Sequence, residues 1–395
     1  MSGAGGAPAG TGTRAPGRDR SSDVLVRPVR GRREKRAFIR LPWSIYRDDP
    51  AWVPPLLYDV KQVLDRRHPF YDHSEVELFL AWRGAAPIGR IAAIVNRAHN
   101  EFHADAVGFF GLFEVQEDAA AAAALLDAAA AWLRARGMDV ARGPMNFSTN
   151  DELYSPGVLI DGFDSPPRVM MAHTPPYYAR LLETAGYSKA MDLLAYDITA
   201  LGAAERLGAV MRRIVERSGV RIRNIDIRRL DEEVDRIQSI YVSAWERNWG
   251  FAPISEREIR HLAKQLKPVI VPELVVIAEI EGEPIGFGLG LPDYNQALRR
   301  LNGRLFPFGL LKLLWYKRRI DTARAVTLGV RPEWRNKGLD GVLVHRLVSA
   351  SAELGYFTGE CSWILEDNAP MRRHLERIGG EVRKVYRVYE KGLAA

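Results

Sequence analysis

Hydrophobic residues follow two different spacings that alternate along the chain. Stretches such as 323–330 are rich in β-branched residues and lie between glycine or proline turns, which predicts strands. Residues 339–354 instead carry apolar side chains three or four positions apart, at Leu339, Val342 and Leu343, which predicts a helix with one buried face. The alternation of such stretches predicts an α/β protein with a mixed sheet (α+β).

The same order of elements occurs twice. Strand, helix, three strands, helix, strand, helix and strand are predicted within 24–198 and again within 221–389. Matching landmarks support the repeat, since Gly89 in a Pro-Ile-Gly turn has its counterpart in Gly286, and Gly186 in Gly379. We therefore predict two domains in tandem.

The predicted boundaries follow from this repeat. Residues 1–22 form a disordered basic tail, 23–200 the first domain, 201–219 a linking helix and 220–395 the second domain. The spacing between landmarks also places one insertion in each copy. We call residues 146–168 the first insertion and residues 298–320 the second insertion.

The net charge is concentrated at one end of the chain. The 395 residues include 56 lysines and arginines and 49 aspartates and glutamates, a formal charge of +7. Residues 1–40 contain ten basic and three acidic residues and so hold all of this excess. A solubilising tail explains the charge, and a nucleic-acid partner through this tail is the less favoured alternative.

Other compositional features narrow the class of protein. Cys361 is the single cysteine, which excludes an internal disulfide and favours a cytoplasmic location. No apolar run has the length of a membrane-spanning helix, so no integral membrane segment is expected. No histidine or cysteine cluster has metal-ligand spacing, so no metal is expected.

The candidate site is the stretch Leu328-Gly329-Val330-x-Pro332-x-x-Arg335-x-x-Gly338, which runs from a strand into a helix. A loop that closes directly into a helix presents unpaired backbone N–H groups to a pyrophosphate, with the helix dipole in support. The candidate cofactor-binding residues are Leu328, Val330, Arg335, Asn336, Lys337, Gly338, Asp340 and Asn368.

This stretch resembles the acyl-CoA motif of the GNAT (Gcn5-related N-acetyltransferase) superfamily, and the repeated topology is similar to paired-GNAT bacterial proteins. The resemblance implies two GNAT-like domains in tandem that use acetyl-CoA or another acyl-CoA as cosubstrate. It implies transfer of an acyl group, acetyl being favoured, to a small-molecule or peptide amine in a ternary complex. It also implies that the main chain of Leu328 and Val330 holds the pantetheine arm and the thioester oxygen.

Two positions depart from the family pattern. Asp340 stands where relatives usually have glycine or alanine, and Leu375 stands where many have the tyrosine that protonates the departing thiolate. A thiol with a pKa near 8.5 leaves without an obligatory acid, so Leu375 does not exclude catalysis. Candidates for the catalytic base are Glu360, Glu366 and Tyr386, whereas Cys361 has the pattern of a small buried side chain.

The first copy lacks the phosphate loop. Gln116, Glu117 and Asp118 lead directly into the helix with neither arginine nor glycine, and two acids at this end oppose a pyrophosphate. The first domain is therefore predicted to be a degenerate, non-catalytic partner.

Both insertions are candidate substrate elements. Asn150, Asp151 and Glu152 of the first insertion form a polar stretch suited to acceptor binding. The second insertion interleaves basic and aromatic residues and contains no acid, which fits a helical hairpin packed on the domain, a cap over the pocket, or a patch for anionic lipid or RNA. Our hypothesis is that the insertions face each other and shape the acceptor site.

The sequence is compatible with three functions. An acyl-CoA-dependent N-acyltransferase is favoured because the loop is largely intact. An aminoacyl-tRNA-dependent transferase also uses paired GNAT-like domains, and a non-catalytic acyl-CoA sensor would explain Asp340 and Leu375. Because a fold does not determine a substrate, the acceptor stays open.

Overall fold

A computed structural model describes residues 23–150 and 153–393. The predicted tail, 1–22, lies outside the described residues. The strands of the described part are β1 (Val24–Pro28), β2 (Ser74–Arg83), β3 (Ala86–Asn96), β4 (Val107–Val115), β5 (Val140–Gly143), β6 (Val158–Asp161), β7 (Ser188–Thr199), β8 (Arg221–Asn224), β9 (Val275–Ile280), β10 (Glu283–Pro292), β11 (Thr322–Val330), β12 (Thr358–Leu365) and β13 (Glu381–Gly392).

Helices connect these strands and cover both faces of the sheet. They are α1 (Gly31–Arg40), α2 (Pro42–Ile45), α3 (Leu57–Val63), α4 (Arg97–His103), α5 (Ala119–Arg134), α6 (Tyr177–Thr184), α7 (Ala200–Ser218), α8 (Leu230–Trp245), α9 (Glu256–Leu266), α10 (Asn295–Leu298), α11 (Gly309–Tyr316), α12 (Leu339–Glu353) and α13 (Ala369–Arg377). Among the described helices, none has the length and apolar character needed to cross a membrane.

All the strands join one continuous sheet. Its order is β1-β2-β3-β4-β5-β13-β7-β12-β11-β10-β9-β8, with β6 paired to β13. The final strand of each copy thus lies against the other copy: β13 pairs with β5, as in Tyr389 opposite Gly143, and β7 pairs with β12, as in Thr199 opposite Thr358. β7 and β13 also pair with each other, so the sheet has no break between the copies.

The core forms where strand alternation meets helix periodicity. In β3, Ile91 and Ala93 pack toward α5, whereas Ala92 and Ile94 pack on the opposite face with Phe38 of α1. In the second copy, α12 buries Leu339, Leu343 and Leu347 against β9 and β10, and α8 covers the opposite face. Each fully buried leucine stabilises the fold by about 2 kcal/mol of transfer free energy.

The observed elements match the predicted repeat, and the structure adds some that the spacing did not indicate. The additions include α3, α4 and β6 in the first copy and α9 in the second. The second insertion contains α10 and α11, but within α11 only Gly309 is buried. The prediction of a hairpin that packs its apolar side on the domain is therefore wrong for α11, because three of its four leucines are exposed.

Candidate functional site

The neighbouring parallel strands β11 and β12 separate along their length. They pair only from Thr322 to Ala325, opposite Thr358 to Cys361, and beyond these positions no pairing joins them. A cavity of about 730 Å³ opens at the separation and extends beneath α8 and α9. This gap lies directly before the predicted phosphate loop.

The main chain of β11 presents groups to this gap. The backbone amide of Arg331 donates to the carbonyl of Ile285 in β10. Along an extended strand, successive residues direct their backbone N–H and C=O groups to opposite sides. The peptide groups of Leu328 and Val330 therefore point away from β10, and both residues line the cavity. Gly329 allows Trp245 to pack closely, since a Cβ there would lie 2.1 Å from the indole.

One end of the cavity is apolar. Its walls come from the facing sides of α8, α9, β9 and β10, with Tyr241 and Trp245 stacked near the loop at a ring-centroid distance of 4.9 Å. The apolar residues that line this end include Leu262, Ala263, Leu266, Ile270, Phe287 and Leu289. Such a lining favours an extended apolar group over a small polar one.

A buried polar cluster on β11 and β12 also lines the cavity. The Ser362 hydroxyl donates to Oε1 of Glu360 at 2.5 Å, and the Nε atom of Arg324 donates to the same hydroxyl oxygen at 2.8 Å. The Arg324 Nε atom is 3.9 Å from the Glu360 carboxylate. All three residues line the cavity, and each is at least 97% buried.

Burial sets the protonation of this cluster. Loss of solvent raises the pKa of Glu360 to about 7, although Arg324 and Ser362 oppose the rise. A carboxyl group with this pKa exchanges protons near neutral pH, as a general base requires. Burial likewise raises the pKa of Cys361 to about 12, which keeps the thiol protonated and fits the small buried side chain predicted for it.

The loop after β11 has the left-handed turns that its sequence favours. Asn336 has a φ of 59° and Gly338 a φ of 79°, and Gly338 is the residue from which α12 begins. The Arg335 guanidinium donates to the carbonyls of Ala244 at 2.6 Å and Val330 at 3.3 Å. Lys337 lies 4.1 Å from the Trp334 ring centre. The Arg335 contacts fix the loop to α8.

The remaining predicted cofactor residues divide by location. Leu328, Val330, Arg335, Asn336, Asp340 and Asn368 line the cavity, whereas Lys337 and Gly338 lie outside its described lining. Asn368 caps α13, its side chain accepting from the Met371 amide. Leu375, at the position where the family resemblance would place a proton-donating tyrosine, is buried in the cavity wall.

Of the three candidate bases, only Glu360 lines the described cavity. Glu366 accepts from Lys189 Nζ at 2.6 Å and from the Asp192 amide at 3.1 Å, outside the described lining. Tyr386 is fully buried in the first copy's core, where burial raises the pKa of its hydroxyl. The geometry therefore brings Glu360, and not the other two, to the gap.

The two insertions have different relations to the cavity. Asn150 lines it, donates to the Ala252 carbonyl at 2.9 Å and accepts from the Tyr241 hydroxyl. Asp151 and Glu152 lie outside the described residues. The described cavity lining includes no residue of 298–320, so the expectation that the second insertion shapes this pocket is wrong for the described lining. It projects away instead, as α11 shows.

In the first copy, the protein's own side chains occupy the corresponding position. The Val115 amide donates to the Tyr178 hydroxyl and the Val115 carbonyl accepts from the Tyr177 hydroxyl, both at 2.9 Å. Val115 is the counterpart of Val330. Asp118 caps α5 by accepting from the Ala121 amide. These hydrogen bonds occupy the backbone N–H and C=O groups of Val115, with which a pantetheine arm would have to pair.

Two features of the site escaped the sequence prediction. Arg324 is a charged residue within an apolar strand, and such a residue signals a buried polar partner. Helix α9 begins with a capping box, in which Ser255 and Glu258 bond each other's backbone amides. The Ser-x-x-Glu spacing, followed by apolar residues three or four apart, was a usable signal for it. No group of described residues has the composition and geometry of a metal site.

The chain is similar to known proteins in sequence and in structure. No protein-family model matches the chain. The bacterial ceramide synthase of Caulobacter vibrioides is 40% identical over 386 residues, covering 94% of this chain and 98% of that protein. Protein YghO of Escherichia coli K12 is 39% identical over 378 residues, covering 93% and 95% respectively.

Solved structures share the fold at low sequence identity. A tandem GNAT protein from the clavulanic acid biosynthesis pathway has a TM-score of 0.56 and 12% identity, covering 94% of this chain and 99% of its own. A GCN5-related N-acetyltransferase from Sphaerobacter thermophilus has a TM-score of 0.53 and 14% identity, covering 95% and 97%. The chain has the tandem GNAT fold and belongs to the same family as the Caulobacter ceramide synthase and YghO.

Proposed function

We propose that the protein is an N-acyltransferase that moves a long-chain acyl group from acyl-CoA to the amine of a long-chain base, forming a ceramide-type amide. The observation that carries the proposal is the cavity at the separation of β11 and β12, which joins an apolar interior to the buried Glu360 cluster. The similarity to the ceramide synthase of Caulobacter vibrioides supports the product class.

The apolar interior favours a long acyl chain over the acetyl group expected from sequence alone. An acetyl group has one methyl to bury, whereas each further methylene of a longer donor gains about 0.8 kcal/mol when it leaves water. The surfaces of α8 and α9 supply apolar contacts along the cavity. The donor's hydrocarbon chain is therefore proposed to lie beneath these two helices.

The proposed chemistry uses Glu360 as the base. Its carboxylate takes a proton from the acceptor ammonium, and the neutral nitrogen attacks the thioester carbonyl carbon. Main-chain N–H groups at Leu328 and Val330 stabilise the oxyanion. The carbon–sulfur bond then breaks, and the nitrogen releases its second proton to solvent as the neutral amide forms. The departing CoA thiolate takes a proton from solvent.

The loop and helix α12 are proposed to hold the CoA pyrophosphate. The free N–H groups at the start of the helix and the Lys337 ammonium provide the positive potential, and Gly338 makes the left-handed turn that leads into the helix. Asp340 in the first turn reduces this potential, so a moderate CoA affinity is expected.

Turnover with defined donors tests the proposal. The purified protein is incubated with sphinganine and either palmitoyl-CoA or acetyl-CoA, and free thiol and amide product are measured together. We expect thiol release and amide formation in equal amounts with palmitoyl-CoA, and much less with acetyl-CoA. Equal rates with both donors would contradict the chain-length assignment, and thiol release without amide would contradict N-acyl transfer.

A further inference from the structure

The second insertion exposes an unusual concentration of apolar side chains. Six of the fifteen large hydrophobic residues that are exposed in the described structure lie within 306–315. Phe306 is 78% exposed, Leu311 65% and Trp315 59%. The six residues are Phe306, Phe308, Leu310, Leu311, Leu314 and Trp315. Leaving such a contiguous group in water is costly, so it indicates a surface that is covered when the protein functions.

Both ends of the insertion are fixed to the body of the protein. The Trp43 indole donates to the Asn302 side chain at 2.7 Å, and the Leu57 amide donates to the Gly303 carbonyl at 3.0 Å. At the other end Ile320 is buried. Between these anchors, α11 has only Gly309 buried. The apolar side chains therefore project from a fixed base.

Positive charge surrounds this apolar group. All seven basic residues of the insertion are exposed, and none forms an ion pair with a described residue: Arg299, Arg300, Arg304, Lys312, Lys317, Arg318 and Arg319. The insertion contains no aspartate or glutamate. Arg319 lies 5.6 Å from the Trp315 ring centre, which keeps a cation beside an aromatic residue.

We propose that the second insertion docks the protein on the surface of an anionic lipid bilayer. Leu310, Leu311 and Leu314 enter the boundary between headgroups and acyl chains, and the surrounding cations face the lipid phosphates. Tryptophan and tyrosine, as at Trp315 and Tyr316, favour this depth because one end of each ring is polar.

The composition favours a bilayer over the other occupants of such a surface. A second copy of the insertion would bring seven like charges against seven, with no acid to compensate. RNA recognition uses aromatic rings for stacking on bases, whereas half of the six exposed side chains are leucines, which do not stack. A bilayer satisfies both the aliphatic side chains and the cations.

The docked position also suits the cavity. The insertion ends three residues before Ala323, which lines the cavity. Docking would hold that strand near the membrane, where long-chain substrates reside. The inference itself rests on the exposed surface and does not depend on acyl transfer, so binding is measured without turnover.

Vesicle flotation tests the inference with the full-length protein. Vesicles contain equal parts of phosphatidylglycerol and phosphatidylcholine, or phosphatidylcholine alone. We expect flotation with the anionic vesicles and little with the neutral ones. Reversing three charges together (Lys317→Glu, Arg318→Glu and Arg319→Glu) should weaken binding on the order of a hundredfold. Phe306→Ser combined with Trp315→Ser should weaken it roughly tenfold or more.

A matched variant controls for net charge. Arg27→Glu, Arg134→Glu and Arg180→Glu reverse three exposed charges of the first copy and should leave flotation unchanged. Circular dichroism checks that every variant is folded. An equal loss in the control variant, or no flotation of the wild type with anionic vesicles, would overturn the proposal. So would single-stranded RNA that binds more tightly than the vesicles and displaces them.

Discussion

The guanidinium of Arg324 and the carboxylate of Glu360 face each other across β11 and β12, with 3.9 Å between Nε and Oε1. The Ser362 hydroxyl lies between them and bonds to both. Arg324 is opposite Glu360 in the register, and this pair is followed by only one more, Ala325 opposite Cys361, before the strands separate. A titratable carboxylate is thus held at the edge of the gap by the same strands that create it.

Replacing Glu360 by Gln should lower kcat/KM about a hundredfold or more, because the proposed base is lost while the shape is kept. In the wild type, kcat/KM should rise with pH through about 7 and then level off, since the carboxylate form is the active one. The variant should lack this inflection. Glu366→Gln is the control, and an unchanged inflection in Glu360→Gln would assign the titration to another group.

The same carboxyl should affect stability. The pKa of Glu360 is about 7 in the folded protein, above its usual 4.5. As the pH rises, the unfolded chain therefore loses this proton at a lower pH than the folded protein does. The free energy of unfolding should therefore fall between pH 4.5 and 7, by on the order of 3 kcal/mol from this group. Chemical denaturation at several pH values measures the fall. Glu360→Gln should reduce it, and an identical pH dependence in both proteins would disprove the assignment.

The loop can be tested with two glycines of similar backbone conformation. Gly338 and Gly355 have φ angles of 79° and 83°, so glutamate at either position costs about 1 kcal/mol or more in strain. Gly338→Glu should weaken CoA binding at least tenfold, as measured by titration calorimetry, because it adds a negative charge to the loop and its Cβ would lie 2.7 Å from Ile214 Cδ1, which would displace the loop. Gly355→Glu should bind CoA normally, and equal affinities would remove the loop from the site.

Chain-length selection should depend on α9. Ala263 lines the cavity, whereas its neighbour Lys264 is exposed. Ala263→Trp should lower kcat/KM for palmitoyl-CoA roughly tenfold or more while sparing short donors, because it removes space for several methylenes. Lys264→Trp places the same side chain in solvent and should leave the preference unchanged. Comparison of donors of increasing length measures the effect.

The first copy should contribute stability rather than donor binding. Tyr178→Phe leaves the buried Val115 amide without this acceptor and removes one of the two tyrosine hydroxyls that donate to Glu114, the other being that of Tyr46. The loss should cost about 1–3 kcal/mol of unfolding free energy. CoA affinity should not change. Tyr58→Phe removes an exposed hydroxyl and serves as the control in the same denaturation measurements. Weaker CoA binding by Tyr178→Phe would indicate a second donor site.

Local patterns predicted most of the elements because each copy follows the same periodicities. The predicted strand 323–330 corresponds to β11 (Thr322–Val330), and the predicted helix 339–354 corresponds to α12 (Leu339–Glu353). The turn into α12 was also predictable, since its positive φ at Gly338 favours the glycine found there. These features depend on neighbours in sequence.

What the sequence could not indicate depends on pairing between distant segments. β7 and β13 have similar apolar alternation, so nothing local decides which of them completes which half of the sheet. The depth of Glu360 likewise depends on distant segments, since its strand lies between β11 and β7, and a glutamate on a strand is more often exposed. Arg335 was predicted to bind the cofactor, but its guanidinium donates hydrogen bonds to the backbone carbonyls of Ala244 and Val330.

The exchange of final strands has a consequence for synthesis of the chain. β5 of the first copy borders β13, which ends at Gly392. During translation, more than two hundred residues therefore emerge after β5 before its partner exists. Until then the first half has an open sheet edge, of the kind that associates with other chains. The nascent protein should therefore need a chaperone to cover this edge until the ribosome releases the strand that closes it.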